Sequence, residues 1–324
     1  MQSLLRLTIY LKRYRVSFGL AVLGMVIARG FEGMIPLFVK TGIDRIATGQ
    51  AGLADGSLDF ATATDALSFP ALAIVVCVIL QMAVTIGYRI AMRRIGVNAA
   101  FDLRNRLYEH LQLQGPGFYA RFTIGDLMAR AINDITLCRE ILAGAIRMTL
   151  ILLLTAVIGL GFMFSLSPAL TLAILLPMPL IGYIAFRFSK QIYAKSRRVQ
   201  EGFAELSTFV QENLNGIRTV QAMAQEDREI ERFRAVNQDF ADRNLSLFTT
   251  TSFLGALMPM LAASGTLIII GYGSVLLDRG DITIGTFAAF FSYLALVLWP
   301  VREAGALVTQ WQRGASGTAR LFEI

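Results

Sequence analysis

The chain has 324 residues, 55% of them hydrophobic and only 16% charged, with a mean hydropathy of +0.57. A soluble domain carries roughly 25% charged residues, and the deficit here lies in long apolar runs, which excludes the two soluble domains that length alone would suggest. Lys and Arg number 30 against 23 Asp and Glu; in a soluble protein that excess points to nucleic acid, but here it falls between the apolar runs, and no nucleic-acid partner is expected.

In chain order, residues 1–13 come first. Met1, Leu4, Leu5 and Leu11 share one side of a helix with Arg6, Lys12 and Arg13 off it, which predicts an interfacial elbow helix on the membrane surface. About 20 mainly apolar residues cross a bilayer as a helix. Six segments qualify, at about 16–39, 67–88, 144–165, 169–186, 253–277 and 284–308. Only Ser165-Leu166-Ser167-Pro168 separates the third from the fourth, so these two form a tight hairpin. Of the two cysteines, Cys77 lies in an apolar run and reads as a buried thiol, and the pair gives no disulfide framework.

Lys and Arg orient the spans. Four lie before the first span, eight between spans two and three from Arg89 to Arg139, and ten between spans four and five from Arg187 to Arg243. The loop from Lys40 to Ser68 holds only Lys40 and Arg45 against four aspartates. Both termini are therefore expected in the cytoplasm, and the protein in the inner, cytoplasmic membrane as a multi-pass protein.

The two cytoplasmic connections, about 89–142 and 187–252, are helical in pattern. Val199, Phe203, Leu206, Val210, Leu214 and Ile217 recur three or four residues apart, and Ile230, Phe233, Val236 and Phe240 do the same. Helix breakers mark the tips: Gly115-Pro116-Gly117 in the first, Asn215-Gly216 in the second. Each leg then reaches roughly 40 Å beyond the membrane. Two such stalks predict that something docks beneath the bilayer. Past the first tip, Asp126 can cap a helix beginning near Gly125, with Arg130 as its i+4 partner.

These motifs carry a resemblance. Gly125-Asp126-Leu127-Met128-Ala129-Arg130 followed by Asn133-Asp134 is similar to the G-[DE]-L-x-[SN]-R-x-x-x-D pattern of ABC exporter membrane domains, with Ala129 in place of the usual small polar residue. Gln211 to Ala222 resembles that family's x-E-x-L-x-G-I-x-x-V-[KQ]-A run, with Gln225-Glu226 following. Ala319 to Ile324 resembles the family's lead into an ATPase domain, and the likeness is closest to bacterial multidrug-type half-transporters. It implies an all-α integral membrane fold, six transmembrane helices with two helical cytoplasmic hairpins ending in coupling helices. It also implies a second transmembrane half, identical or related, and nucleotide-binding domains as partners in the lipid bilayer. The cargo would be an amphipathic substrate, drug-like or lipid, moved by alternating access.

Coupling contacts are then expected at Gly115, Pro116, Gly117, Phe118 and Tyr119 in the first tip, and at Glu212, Asn215, Gly216, Ile217, Arg218 and Val220 in the second. None of the four lysines, Lys12, Lys40, Lys190 and Lys195, follows a glycine, so the chain holds no G-x-x-x-x-G-K-[ST] loop and no S-G-G signature. The resemblance accordingly places ATP and Mg in a nucleotide-binding domain beyond Ile324 or on a separate chain, with no cofactor, metal or catalytic residue here. Other classes remain open: a non-pumping scaffold, a passive gate worked by a cytoplasmic partner, or an ion-coupled carrier, the last disfavoured because no internal repeat is visible.

Charges at membrane depth are costly and therefore functional candidates. Arg29 and Glu32, three residues apart in span one, can pair or line a cavity. Arg147, Arg302 and Glu303 near the inner ends of spans three and six can line its mouth or snorkel to the interface. Phe162, Met163 and Phe290 are among the soft apolar residues able to furnish an adaptable cavity. His110 reads as structural.

Overall fold

The computed structural model describes residues 2–54 and 60–324; of the side chains of residues 2–5, 8, 49–54, 60–66, 301 and 302 nothing is described. Every helix and turn among the described residues belongs to an all-α fold, with six helices long and apolar enough to cross a membrane. The chain divides into two compact units, residues 1–171 with 269–324, and residues 172–268.

The first unit holds α1 (Gln2–Arg13), α2 (Arg15–Ala54), α3 (Phe60–Gln112), α4 (Pro116–Tyr119), α5 (Ile124–Ala129), α6 (Ile135–Glu140), α7 (Ile146–Leu166) and α12 (Ile284–Leu321). Two π-helical turns, Arg130–Asp134 and Ile141–Ala145, flank α6. Lipid tails are as apolar as Leu, so these helices associate through close packing and internal hydrogen bonds rather than by fleeing water. Ala21, Met25 and Ala28 of α2 meet Tyr88, Met92 and Ile95 of α3 and Ile151 of α7 in one buried cluster. Glycine lets the backbones approach: a Cβ on Gly33 would stand 2.6 Å from the Phe162 ring. That ring stacks on Tyr293, 6.1 Å between centroids, and the buried Tyr293 hydroxyl donates to the Gly33 carbonyl at 2.7 Å. Met163 and Phe290, which could have lined a cavity or packed on neighbouring helices, are fully buried.

At the hairpin end a second cluster joins Leu7 and Tyr10 of α1 to Leu103 and Leu107 of α3, Ile135 and Cys138 of α6, and Leu321 of α12. A helix spans Gln2–Arg13; Leu7 and Tyr10, and in part Leu11, pack on protein, while Met1, Leu4 and Leu5, expected with Leu11 on its membrane face, lie outside the described side chains. At the opposite end Asp44 of α2 closes the start of α12. Its carboxylate accepts from the Gly285 N–H at 2.8 Å and the Thr283 hydroxyl at 2.9 Å, an anion on unpaired helix N-terminal donors.

The second unit contains the latter half of α8 (Pro168–Leu175), then α9 (Met178–Asn215), α10 (Ile217–Ala222) and α11 (Glu226–Asp278) as far as Ile268. The fourth span, expected as one helix over 169–186, is interrupted at Leu176–Pro177. Pro177 and Pro179 lack the N–H groups that a continuous ladder needs. α9 and α11 are joined through side chains: Phe203 meets Phe240 and Phe209 meets Phe233, at 5.9 and 6.2 Å between centroids. Arg243 reaches Glu205 at 3.2 Å across the pair, and its guanidinium lies over Gly202, where a Cβ would come within 3.1 Å of the arginine stem.

Candidate functional site

The first tip is built by its own aromatic residues. Gly115 ends the preceding chain in extended geometry, and Pro116 at the first helical position needs no N–H partner there. The four-residue α4 places Phe118 against Tyr119, Phe122 and His110, with centroids 5.4, 4.9 and 6.5 Å away. The Tyr119 hydroxyl donates to the Leu111 carbonyl at 2.7 Å, tying the turn back to α3. Gly117 has open space around it, and Leu113 and Ile124 point outward, 85% and 78% exposed.

The motif after this tip does something that its spacing alone did not indicate. Thr123, not Asp126, caps α5: its hydroxyl accepts from the Asp126 N–H at 3.2 Å. The cap falls two residues before Gly125 because Thr123 has the extended backbone that an N-cap requires. Asp126 is left free to accept from Arg130 Nε at 2.9 Å, the expected i+4 pair. Arg130, nearly buried, also donates to Glu323 at 3.1 Å and to the Arg320 carbonyl, with its guanidinium 5.1 Å from the Phe122 ring. One turn later, the buried Asp134 accepts two hydrogen bonds from Arg320, one of 3.1 Å from Nε. This carboxylate holds the Arg320 guanidinium above its ordinary pKa by hydrogen bonding and by charge.

The motif therefore clasps the end of α12. Gly314 and Gly317 make the contact possible: Ile141 occupies the space a Cβ on Gly314 would need, and a Cβ on Gly317 would stand 2.7 Å from Leu137. Thr318 and Cys138 add a contact of 3.5 Å. Burial pushes the Cys138 thiol pKa up, the behaviour of an inert structural cysteine.

The second tip is held mainly by backbone turns, with the Gln225 side-chain amide donating to the Met223 carbonyl at 3.3 Å. Gly216 interrupts α9, and α10 ends in a Schellman motif: Gln225 N–H donates to Val220 O at 3.0 Å and Ala224 N–H to Gln221 O at 3.1 Å. Ala224 takes the left-handed conformation, φ +51°, that glycine usually fills. Between α9, α10 and α11 lies a groove of about 310 Å³ lined by Phe209, Leu214, Ile217, Val220, Ile230 and Phe233. Leu214 is 64% exposed and Ile217 40%. Glu212, Asn215 and Arg218 are exposed around it, and among the described residues neither Glu212 nor Arg218 forms an ion pair.

Against known proteins, the family model described as the ABC transporter transmembrane region matches residues 18–301. The chain belongs to that family. Among relatives, this ABC transporter membrane region is 27% identical to YknU, an uncharacterized ABC transporter ATP-binding protein of Bacillus subtilis, over the whole of this chain and 53% of the relative. It is 30% identical to YknV of the same organism, over 72% of this chain and 39% of the relative. A putative multidrug export ATP-binding/permease protein of Staphylococcus aureus is 28% identical over 90% of this chain and 50% of the relative. The chain thus spans about half the length of the curated relatives it matches.

The remaining candidates of this ABC transmembrane region lie on or beside its apolar spans. Arg29 and Glu32 form the ion pair expected from their spacing on α2, and both are partly buried. Arg147 donates through Nε to the Ala143 carbonyl at 3.3 Å and, with Glu303, borders a cavity between α7 and α12. The Arg302 side chain lies outside the described residues. Sequence reasoning missed Arg320 and Glu323 as partners of the first motif. The signal was present: a motif with two charges destined for burial requires opposite charges somewhere, and the last turn of the chain supplies them.

Proposed function

We propose that this domain forms the translocation pathway of an ATP-driven ABC exporter, paired with a second transmembrane half and moving an amphipathic drug-like or lipid substrate by alternating access. It sits in the inner, cytoplasmic membrane with both termini in the cytoplasm, on the charge bias of its loops. The observation that carries the reading is the uncovered apolar groove at the second tip, a surface that water disfavours and that a docked nucleotide-binding domain would cover. The printed name of the Staphylococcus aureus relative, a putative multidrug export protein, supports the choice of cargo class. Among the described residues no group of three or more His, Cys, Asp or Glu is placed to hold a metal. In this reading ATP and Mg belong to the nucleotide-binding domain, and this chain's part is mechanical.

In this reading the coupling contacts are Gly115 to Tyr119 of the first tip, and Glu212, Asn215, Gly216, Ile217, Arg218 and Val220 of the second. The test is Ile217→Asp in the chain assembled with its nucleotide-binding domain. A charge in the groove should cut substrate-stimulated ATPase activity at least tenfold, while the exposed position leaves the stability of the membrane domain within the small range of a surface change, about 0.5 kcal/mol. Undiminished stimulation would remove the second tip from coupling.

A further inference from the structure

Five arginines surround one crevice in the first unit. Two adjoining cavities of about 380 and 610 Å³ share Glu140, Gly144, Arg147 and Gln310 in their walls. Arg89, Arg93 and Arg139 border the larger, Arg313 the smaller, and Arg147 both. Only Glu140 and Glu303 oppose them. Among the described residues none of the five arginines makes an ion pair. Arg130 and Arg320, by contrast, are held by carboxylates. Arg89, Arg93, Arg139 and Arg147 border one cavity with Glu140 as its carboxylate, and like charges gathered with so little counter-charge cost free energy that an anion would recover.

The shape of the crevice is as specific as its charge. A Cβ on Gly96 would stand 2.6 Å from Ala143, and one on Gly144 would stand 2.7 Å from the Gln310 amide. Around the crevice the helices thus meet closely through small residues. The π-turn Ile141–Ala145 lies within this wall, between Arg139 and Arg147, and such bulges recur where a helix is bent to a functional purpose. Depth is also set. Arg89 directly follows the second apolar span, Arg147 opens the third and Gln310 follows the sixth. The neighbouring Trp311, whose indole donates to Thr149 at 3.0 Å, is of the residue type concentrated at the headgroup level.

We propose that this crevice binds the phosphate of an acidic membrane lipid from the leaflet on the hairpin side. Planar guanidinium groups match phosphate oxygens in pairs, and basic pockets between transmembrane helices favour such headgroups. The inference rests on membrane insertion and not on ATP-driven export, so it stands or falls separately from that reading.

The experiment measures binding of spin-labelled phosphatidylglycerol and phosphatidylcholine to the chain in phosphatidylcholine vesicles, reading the motionally restricted fraction. Phosphatidylglycerol should be preferred. Each of Arg89→Gln, Arg93→Gln and Arg147→Gln should weaken that preference about fivefold, the effect of one interfacial charge, while Arg147→Lys largely keeps it. Arg104→Gln, on the same helix outside the crevice, should change nothing. Glu303→Gln, which removes an opposing charge, should strengthen the preference, a gain no misfolded protein would give. Equal binding of the two lipids, arginine variants that match the parent, or a Glu303→Gln preference no higher than the parent's would each overturn the proposal. Inorganic phosphate at millimolar concentration should fail to displace the lipid; displacement would assign the crevice to free phosphate and overturn the lipid reading.

Discussion

The two hairpins solve one problem, how to hold a helix tip far from the membrane, by different means. In the first, the leg after the tip is fixed by buried charge: Arg130 and Asp134 reach across to Glu323 and Arg320 at the far end of the chain. In the second, α9 and α11 are joined by aromatic pairs and by the half-exposed ion pair of Arg243 with Glu205 at 3.2 Å, and the tip relies mainly on its own backbone turns. The first hairpin therefore depends on long-range contacts within its unit, and its stability should be sensitive to single charges. The second leaves its apolar groove uncovered and should be locally soft until something fills it.

The largest expected effect breaks the first arrangement. Arg320→Ala strands the carboxylate of Asp134, which is 3% exposed. Loss of one member of a buried pair costs about 3–5 kcal/mol; Arg320 itself is half-exposed, so about 2 kcal/mol is expected here. Thermal unfolding in detergent measures it. Adding Asp134→Asn should return part of the loss, because the stranded charge, not the missing contact, is the main cost. If the double variant is no more stable than the single, the clasp is not an energetic unit.

How much of this was legible beforehand divides along the same line. The six spans, the tips at Gly115 and Gly216 and the Asp126–Arg130 pair follow from local rules of hydropathy, helix breaking and i+4 spacing, all acting within a few residues. The clasp joins positions almost two hundred residues apart, and no periodicity encodes which distant charge meets Asp134. The break at Leu176–Pro177 was readable in kind, since two prolines stand there, but an apolar run long enough to span masked it. Thr123 took the cap from Asp126 because both have suitable side chains and only the backbone angle decides between them. The role of Leu7 and Tyr10 was hidden for another reason: an amphipathic helix has the same pattern whether its apolar face meets lipid or protein.

A smaller effect sharpens the contrast at the second tip. Ala224 is exposed and held at φ +51°, a conformation in which a Cβ crowds the following carbonyl at a cost of roughly 1–2 kcal/mol. Ala224→Gly should relieve that strain, offset in part by the greater chain entropy of glycine, for a net gain near 1 kcal/mol. Amide exchange across Ile217–Gln225 should slow. Faster exchange would mean that the tip is fixed by side chains after all, and the two hairpins would differ less than their contacts indicate.

The smallest effect belongs to the first tip. Tyr119→Phe deletes the hydrogen bond to the Leu111 carbonyl but keeps the ring against Phe118. The side chain is 45% exposed, so water can replace the lost donor and about 0.5 kcal/mol is expected, the low end for a hydrogen bond. Exchange at Gly117 to Phe122 should quicken while the melting temperature barely moves, because the clasp lies beyond the tip and does not pass through Tyr119. A large global loss would show that tip and clasp unfold as one piece, making the first hairpin a single cooperative lever from Leu111 to Glu323.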